Sequence, residues 1–281
     1  MTALRTVLIT GTSSGIGLAT AVAAARAGWQ VVATLRDTGK AGALRAAVDE
    51  AGVTDRVRVA HLDVTDPASV AAAVADAVAT YGHLDAVINN AGVGQLGTVE
   101  QIGVDAFRSV MEVNFFGVVE LTLAALPHLR ASGGRVITVS SLGGVVGQPF
   151  NEAYCAAKFA VEGFLESLAP VAATTGVRVS VVEPGAVASE FVASLGPSLP
   201  GLVENAGPYE AAFKAYFENT AGFFEQAQSS EDAAASVVEV LTAPEPAFRV
   251  QTSDVARGLA AIKLADLDGS AVHAFTGPWL S

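Results

Sequence analysis

A single cysteine, Cys155, stands in the 281-residue chain, so no internal disulfide can form and no thiolate cage for zinc can be built. The four histidines share none of the short spacings that metal ligands use, so no metal site is expected. Basic residues are scarce too: 16 Lys and Arg face 28 Asp and Glu, for a formal charge of -12 and a pI near 4.7. Such a surface repels nucleic acid and anionic membranes alike, which excludes both as main partners. No run approaches the roughly 18 uninterrupted apolar residues of a membrane span. Val7-Leu8-Ile9 is too short for a signal h-region. These absences describe a soluble protein of a reducing cytoplasm. What is abundant is apolar side chain, 51% against 16% charged, enough for a sizeable core.

The apolar residues fall into short β-branched runs alternating with Ala-rich helical stretches. Strands are expected at Thr6 to Thr10, Gln30 to Thr34, Arg56 to Ala60, Leu84 to Asn89, Arg135 to Ser140 and Val177 to Val182. Helices start at Gly15 and about Gly39, and another opens at Asp66-Pro67 and runs to about Tyr81 before Gly82. That alternation means βαβ units, hence a doubly wound parallel sheet in a three-layer α/β/α arrangement. No Ser-, Pro- or Gly-rich linker divides the chain, so residues 1–281 read as one domain. The pattern breaks after Pro184. A stretch with Gly185, Gly196, Pro197, Pro200, Gly201, Gly207 and Pro208 leads into an aromatic-rich helix and a final helix-strand pair, an insertion over a binding site at about 186–230.

Between the first strand and first helix stands Thr10-Gly11-Thr12-Ser13-Ser14-Gly15-Ile16-Gly17. Glycines there let the backbone approach a pyrophosphate while the helix N-terminus offers unpaired N–H groups. At the end of the second strand a carboxylate selects a free ribose 2′-OH, whereas arginine pairs with a 2′-phosphate. The sequence there reads Thr34-Leu35-Arg36-Asp37, which favours NADP(H) through Arg36. Adjacent Asp37 leaves two alternatives open: it could neutralise Arg36 or itself take the ribose.

Tyr154 and Lys158 are four apart in a helical segment and share one face. A neighbouring ammonium is expected to bring the tyrosine pKa down from about 10 toward a range useful for proton transfer. Around this pair the chain resembles the short-chain dehydrogenase/reductase family. The motifs, in order, are Thr10-Gly11-x-x-x-Gly15-Ile16-Gly17, Leu62-Asp63-Val64, Asn89-Asn90-Ala91-Gly92, Asn114, Ser140-Ser141, Tyr154-x-x-x-Lys158 and Pro184-Gly185. Ser141 through Gly147-Gln148-Pro149-Phe150-Asn151 to Ala160 further resembles the branch holding 17β-hydroxysteroid and retinol dehydrogenases.

The resemblance implies a Rossmann-type fold and hydride transfer between a nicotinamide cofactor and a carbonyl or alcohol. Tyr154 would be the general acid or base, Ser141 the hydroxyl that stabilises the reacting oxygen, and Lys158 the group that tunes the tyrosine and bonds the nicotinamide ribose. Asn114 would hold a water linking Lys158 to solvent. The family spacing to tyrosine favours Ser141 over Ser140. Gly11, Ser13, Ser14, Gly15, Ile16 and Gly17 would meet the pyrophosphate; Asp63 and Val64 the adenine; Asn90, Ala91 and Gly92 the adenosine ribose. Pro184, Gly185, Val187 and Ser189 would border the nicotinamide. A helix cap, a buried amide and a turn proline would explain Asp63, Asn90 and Pro184 equally well.

Tyr209, Phe213, Tyr216, Phe217, Phe223 and Phe224 crowd one segment, the first four at the i, i+4, i+7, i+8 spacing of one helical face. They read either as core or, with Leu195, Leu199, Leu202 and Val203, as a lid over a lipophilic substrate. The last residues, through Trp279, show no polar anchor. By resemblance, helices from about Gly103 to Arg130 and from Asn151 to Thr175 pair subunits, so a homodimer or homotetramer is expected. A cofactor-sensing or scaffold protein without chemistry is the competing class, disfavoured because Asn114, Ser141, Tyr154 and Lys158 are all present. An epimerase or dehydratase of the same fold is a further alternative.

Overall fold

The computed structural model describes residues 4–189, 199–225, 227–267 and 270–280. Leu195, Gly196 and Pro197 of the expected lid lie outside the described residues, as do the side chains of Leu199, Phe223 and Phe224.

Seven parallel strands form one sheet in the order β3-β2-β1-β4-β5-β6-β7. They are β1 Thr6–Thr10, β2 Gln30–Leu35, β3 Val57–His61, β4 Ala86–Asn89, β5 Arg135–Val139, β6 Arg178–Glu183 and β7 Arg249–Gln251. Side chains alternate across each strand, and both faces are apolar because helices cover both. Val7, Ile9, Val31 and Ala33 pack on one face against α1 (Gly15–Arg26) and α9 (Ser230–Thr242); Leu8, Val32, Val87 and Val136 pack on the other against α3 (Pro67–Tyr81), α5 (Gly117–Ser132) and α6 (Glu152–Ala173). Asp66 caps α3 by accepting from the Ala68 N–H at 2.9 Å, and Gly82 ends it in the left-handed region at φ 82.

Two helices depart from the sequence reading. The segment expected to be helical from about Gly39 begins as a 3-10 turn, Thr38–Lys40, and α2 covers Gly42–Glu50. The helix expected from about Gly103 begins earlier, as α4 (Val99–Met111) on a Thr98 capping box, and is broken at Gly103 (φ 61). A single π-helical turn, Glu112–Phe116, joins it to α5. By length and apolar content the run Val99–Ser132 could cross a membrane, alone among the described helices. Here α4 packs on α6 and α5 on α3, so the run serves as the helical layer of the sheet.

Strand order reverses between β1 and β4, where adjacent loops diverge at the carboxyl edge and leave a crevice. The glycine loop follows β1 and Asn90-Ala91-Gly92 follows β4, so both motifs meet there. After β6 come α7 (Leu199–Glu204), α8 (Glu210–Glu225), α9, β7, α10 (Asp254–Ala265) and α11 (Ser270–Thr276).

Candidate active site

The glycine loop is shaped for close backbone approach. Gly11 and Gly15 lie in the left-handed region at φ 69 and 57. A Cβ on Gly17 would fall 2.2 Å from the Gly11 oxygen and 2.3 Å from Asn90 Nδ2, and one on Gly11 would sit 2.8 Å from the Ala91 Cα. Ser14, at the N-cap of α1, makes no side-chain cap bond, so the first N–H groups of the helix remain open toward the crevice. That combination fits a pyrophosphate. Ser13, Ser14, Gly15 and Ile16 are each partly exposed there, and Ser189 comes close enough for a Cβ on Gly15 to meet its Cβ at 3.4 Å. Asn90 is turned away from the crevice: its Nδ2 donates to the Thr10 and Gly11 carbonyls at 2.9 and 3.0 Å. Its side chain holds the loop to β4 and has no amide hydrogen left for a ligand.

At the adenosine end Arg36 is exposed and makes no hydrogen bond or ion pair among the described residues. Asp37 does not neutralise it by contact; its Oδ1 caps the 3-10 turn by accepting from the Gly39 N–H at 2.9 Å. Asp63 accepts from the Thr65 N–H at 3.0 Å and the Thr65 hydroxyl at 2.8 Å. Those bonds, and the nearby Arg36 charge, hold its carboxyl below the usual range.

The second cluster gathers from β5, the π turn and α6. Ser141 accepts from the Gly143 N–H at 3.0 Å and is hydrogen-bonded to Tyr154, whereas Ser140 is buried and faces Glu162. Lys158 Nζ donates to the Val139 carbonyl at 2.9 Å and lies 5.8 Å from the centroid of the Tyr154 ring. Asn114, fully buried, takes the Val93 N–H and donates to the Val93 carbonyl, both at 2.8 Å. One Nδ2 hydrogen and the main chain remain for the expected water. Gly92 separates the two groups: a Cβ there would be 3.3 Å from Asn114 Oδ1 and 3.8 Å from Lys158 Nζ.

The expected lowering of the Tyr154 pKa is not what the fold produces. Burial pushes the phenol up to about 12, and the Ser141 bond offsets this only in part. Burial also drives Lys158 down to about 8. The lysine is turned to a carbonyl, so its charge does not outweigh the desolvation of the phenolate. The phenol is therefore protonated at neutral pH.

The aromatic segment is a small core. Phe213 is fully buried, Phe150 stacks on it at 4.3 Å, and Tyr216 meets Phe150 edge-on at 5.5 Å. Tyr209 departs from the expected face; it lies in the 3-10 turn Gly207–Tyr209, exposed, donating to Glu100 Oε1 at 3.2 Å. The tail does have a polar anchor, since Asn219 Nδ2 donates to the Pro278 carbonyl at 3.2 Å and Trp279 packs on Tyr216. Sequence reasoning missed Phe150, the one non-glycine residue at positive φ (61) among the described residues. It also missed the buried acids Glu162 and Glu183. A Tyr-x-x-x-Lys-x-x-x-Glu register was readable, but the residues that meet it from β6 and β7 are distant in sequence.

Residues 5–200 match the family model for short chain dehydrogenase, and the chain belongs to that family. It is 40% identical over 280 residues to retinol dehydrogenase 8 of Bos taurus, covering 95% of this chain and 87% of the relative. It is 39% identical over 273 residues to 17-beta-hydroxysteroid dehydrogenase type 1 of Homo sapiens, covering 94% and 82%. A solved short-chain dehydrogenase from Streptomyces avermitilis superposes with a TM-score of 0.76 at 32% identity, over 99% of this chain and 96% of that one. The same fold recurs at 24% identity in a Burkholderia cenocepacia enzyme in complex with NADP (TM-score 0.74, 98% and 99% covered). It recurs at 23% in a Burkholderia phymatum one in complex with NAD (TM-score 0.80, 95% of each). The chain is an oxidoreductase of the class that acts on CH–OH groups with a nicotinamide dinucleotide.

Proposed function

We propose that this protein is an NADP(H)-dependent reductase of lipophilic ketones or aldehydes in which Tyr154 is the general acid. The observation that carries the reading is the pairing of the Ser141 hydroxyl with the Tyr154 phenol beside buried Lys158, which puts two hydroxyls next to one another. A carbonyl oxygen placed between them accepts a hydrogen bond from each. As the carbon gains a hydride, charge builds on that oxygen and Ser141 stabilises it. Tyr154 then releases its proton to the oxygen, and C=O becomes CH–OH. The bound dinucleotide supplies the hydride. Lys158 keeps a positive charge below the ring, so the phenolate left behind is stabilised. Asn114 fixes the Val93 backbone and thereby the floor of the site. The reverse reaction uses the same groups, with the Tyr154 phenolate taking the hydroxyl proton.

Preference for NADP(H) is supported by Arg36, exposed at the end of β2, with Asp37 Oδ1 turned to the Gly39 N–H rather than to the guanidinium. A lipophilic substrate is supported by the apolar character of the segment after β6, where Leu202, Val203, Phe213, Tyr216 and Phe217 pack together. The names of the relatives, retinol and hydroxysteroid dehydrogenases, point the same way. A homodimer or homotetramer is supported by exposed Val104, Phe116, Leu123 and Phe159 on α4, the π turn, α5 and α6. The free, buried Cys155 suits a cytoplasmic setting. The test is NADPH oxidation with steroid ketones, retinal-type aldehydes and small polar ketones. Turnover confined to the polar ketones, or equal rates with NADH, overturns the substrate or cofactor part respectively.

A further inference from the structure

Helix α6 carries Tyr154, Lys158, Glu162 and Glu166 at successive steps of four, so the four side chains form one stripe running away from the candidate site. The stripe passes from buried to exposed: Lys158 and Glu162 are 4% and 5% exposed, whereas the Glu166 side chain is 62% exposed. Glu183, the last residue of β6, is fully buried against it. Arg249 of β7 reaches in from the sheet edge. Its Nε lies 3.2 Å from Glu162 Oε2 and also 3.2 Å from Glu183 Oε1, and its Nη2 meets Glu166 Oε2 at 2.8 Å.

Guanidinium Nε carries one hydrogen, and here it is donated to Glu162. Gln251 Nε2 donates to Glu183 Oε2 at 2.8 Å, yet Glu183 Oε1 and Glu162 Oε1 have no donor among the described residues. Two buried carboxylates facing a single N–H cannot both ionise cheaply, so the pair retains a proton that other surface acids have lost. Burial, with Glu183 beside it, raises Glu162 to about 7.

Lys158 needs this neighbour. Its ammonium is surrounded by Val139, Gly92 and the Tyr154 ring, and its one hydrogen-bond acceptor among the described residues is a neutral carbonyl. Glu162 is the acid whose charge reaches it and opposes its deprotonation. The titratable groups facing the pair are Tyr154, Cys155 and Glu166 on α6, Glu183 from β6 and Arg249 from β7. From β5 and the π turn come only Ser140, Ser141 and Asn114, which stay neutral.

We propose that Glu162, held against Glu183 by Arg249, is a positioning residue that keeps Lys158 in its ammonium form and so sets the alkaline limit of the reaction. The proposal rests on the role given above to Lys158, and it is tested on free protein so that the two can fail separately. Lysines number four in the chain, at 40, 158, 214 and 263, so ε-carbon NMR of lysine-labelled protein resolves the buried one. In the wild type the Lys158 signal should show its own midpoint near 8 and an earlier inflection near 7 as Glu162 ionises. Glu162→Gln should remove the inflection and lower the midpoint by about one pH unit. Glu162→Asp, which keeps the charge, should restore most of it. Glu183→Gln, which frees Glu162 of its like-charged neighbour, should leave the midpoint at or above that of the wild type. A single wild-type transition with no inflection, or equal downward shifts in Glu162→Gln and Glu183→Gln, overturns the proposal; the wild-type measurement decides even if Glu162→Gln does not fold.

Discussion

Ser141 is hydrogen-bonded to Tyr154 while its own oxygen holds the Gly143 N–H at 3.0 Å, so the backbone after β5 aims the hydroxyl at the tyrosine. The two residues are thirteen apart and lie on different elements, and only the turn through Gly143 and Gly144 lets them meet. Tyr154→Phe is therefore expected to abolish ketone reduction while leaving NADPH affinity, read by cofactor fluorescence, within about twofold of the wild type. Ser141→Ala should lower kcat by ~100-fold or more with a smaller change in KM, as for loss of a donor to a developing oxyanion. Retained turnover in Tyr154→Phe would remove the assigned mechanism.

Arg36 is exposed at the end of β2 and stands clear of any ion pair among the described residues, so its guanidinium is free to meet a phosphate. Arg36→Ala should raise KM for NADPH ~10-fold or more and change KM for NADH little, because only the 2′-phosphate meets the guanidinium. Parallel losses with both cofactors would assign Arg36 to the adenine instead.

Much of this was legible in the sequence, and the limits have physical causes. β1 and α3 were placed at their observed bounds because each carries its own stop signals: a glycine loop after Thr10, and Asp66-Pro67 and Gly82 around the helix. The glycine loop and the Tyr154–Lys158 pair were readable because each depends on local spacing. What was hidden depends on distant partners. Burial of Tyr154 reverses the direction expected for its pKa, and no local pattern reports burial. The backbone partners of Asn114 and Asn90, Val93 and Gly11, lie far off in sequence and no local pattern reports them. Tyr209 kept helical spacing across a 3-10 turn, where that spacing no longer fixes one face.

Gly17 is the tightest point of the cradle. An alanine there would drive its Cβ to 2.2 Å from the Gly11 oxygen and 2.3 Å from Asn90 Nδ2, so the loop must shift or the Asn90 tether must break. Gly17→Ala should cost ~2 kcal/mol in urea unfolding and weaken NADPH binding at least tenfold. Gly147→Ala, at a position with open space around it, is the matched control and should change neither. Equal behaviour of the two variants would mean that the loop is looser than this packing requires.

The buried charges make stability depend on pH in a specific shape. Glu162 releases its proton near 4.5 when unfolded and at about 7 in the fold. Between those values the native state binds more protons than the unfolded chain, so stability falls as pH rises through the window. Lys158 shifts the other way, from 10.5 to about 8. Between 8 and 10.5 the unfolded chain binds more protons, so stability rises with pH there. The two terms leave a trough between about pH 7 and 8. Melting curves across pH 5 to 10 should then show Glu162→Gln falling below the wild type most at pH 5, with the deficit shrinking toward pH 8. Lys158→Met should instead lose ground relative to the wild type as pH rises above 8. Differences that stay constant with pH would mean that neither group changes its proton affinity on folding, and would remove the electrostatic basis for coupling Glu162 to Lys158.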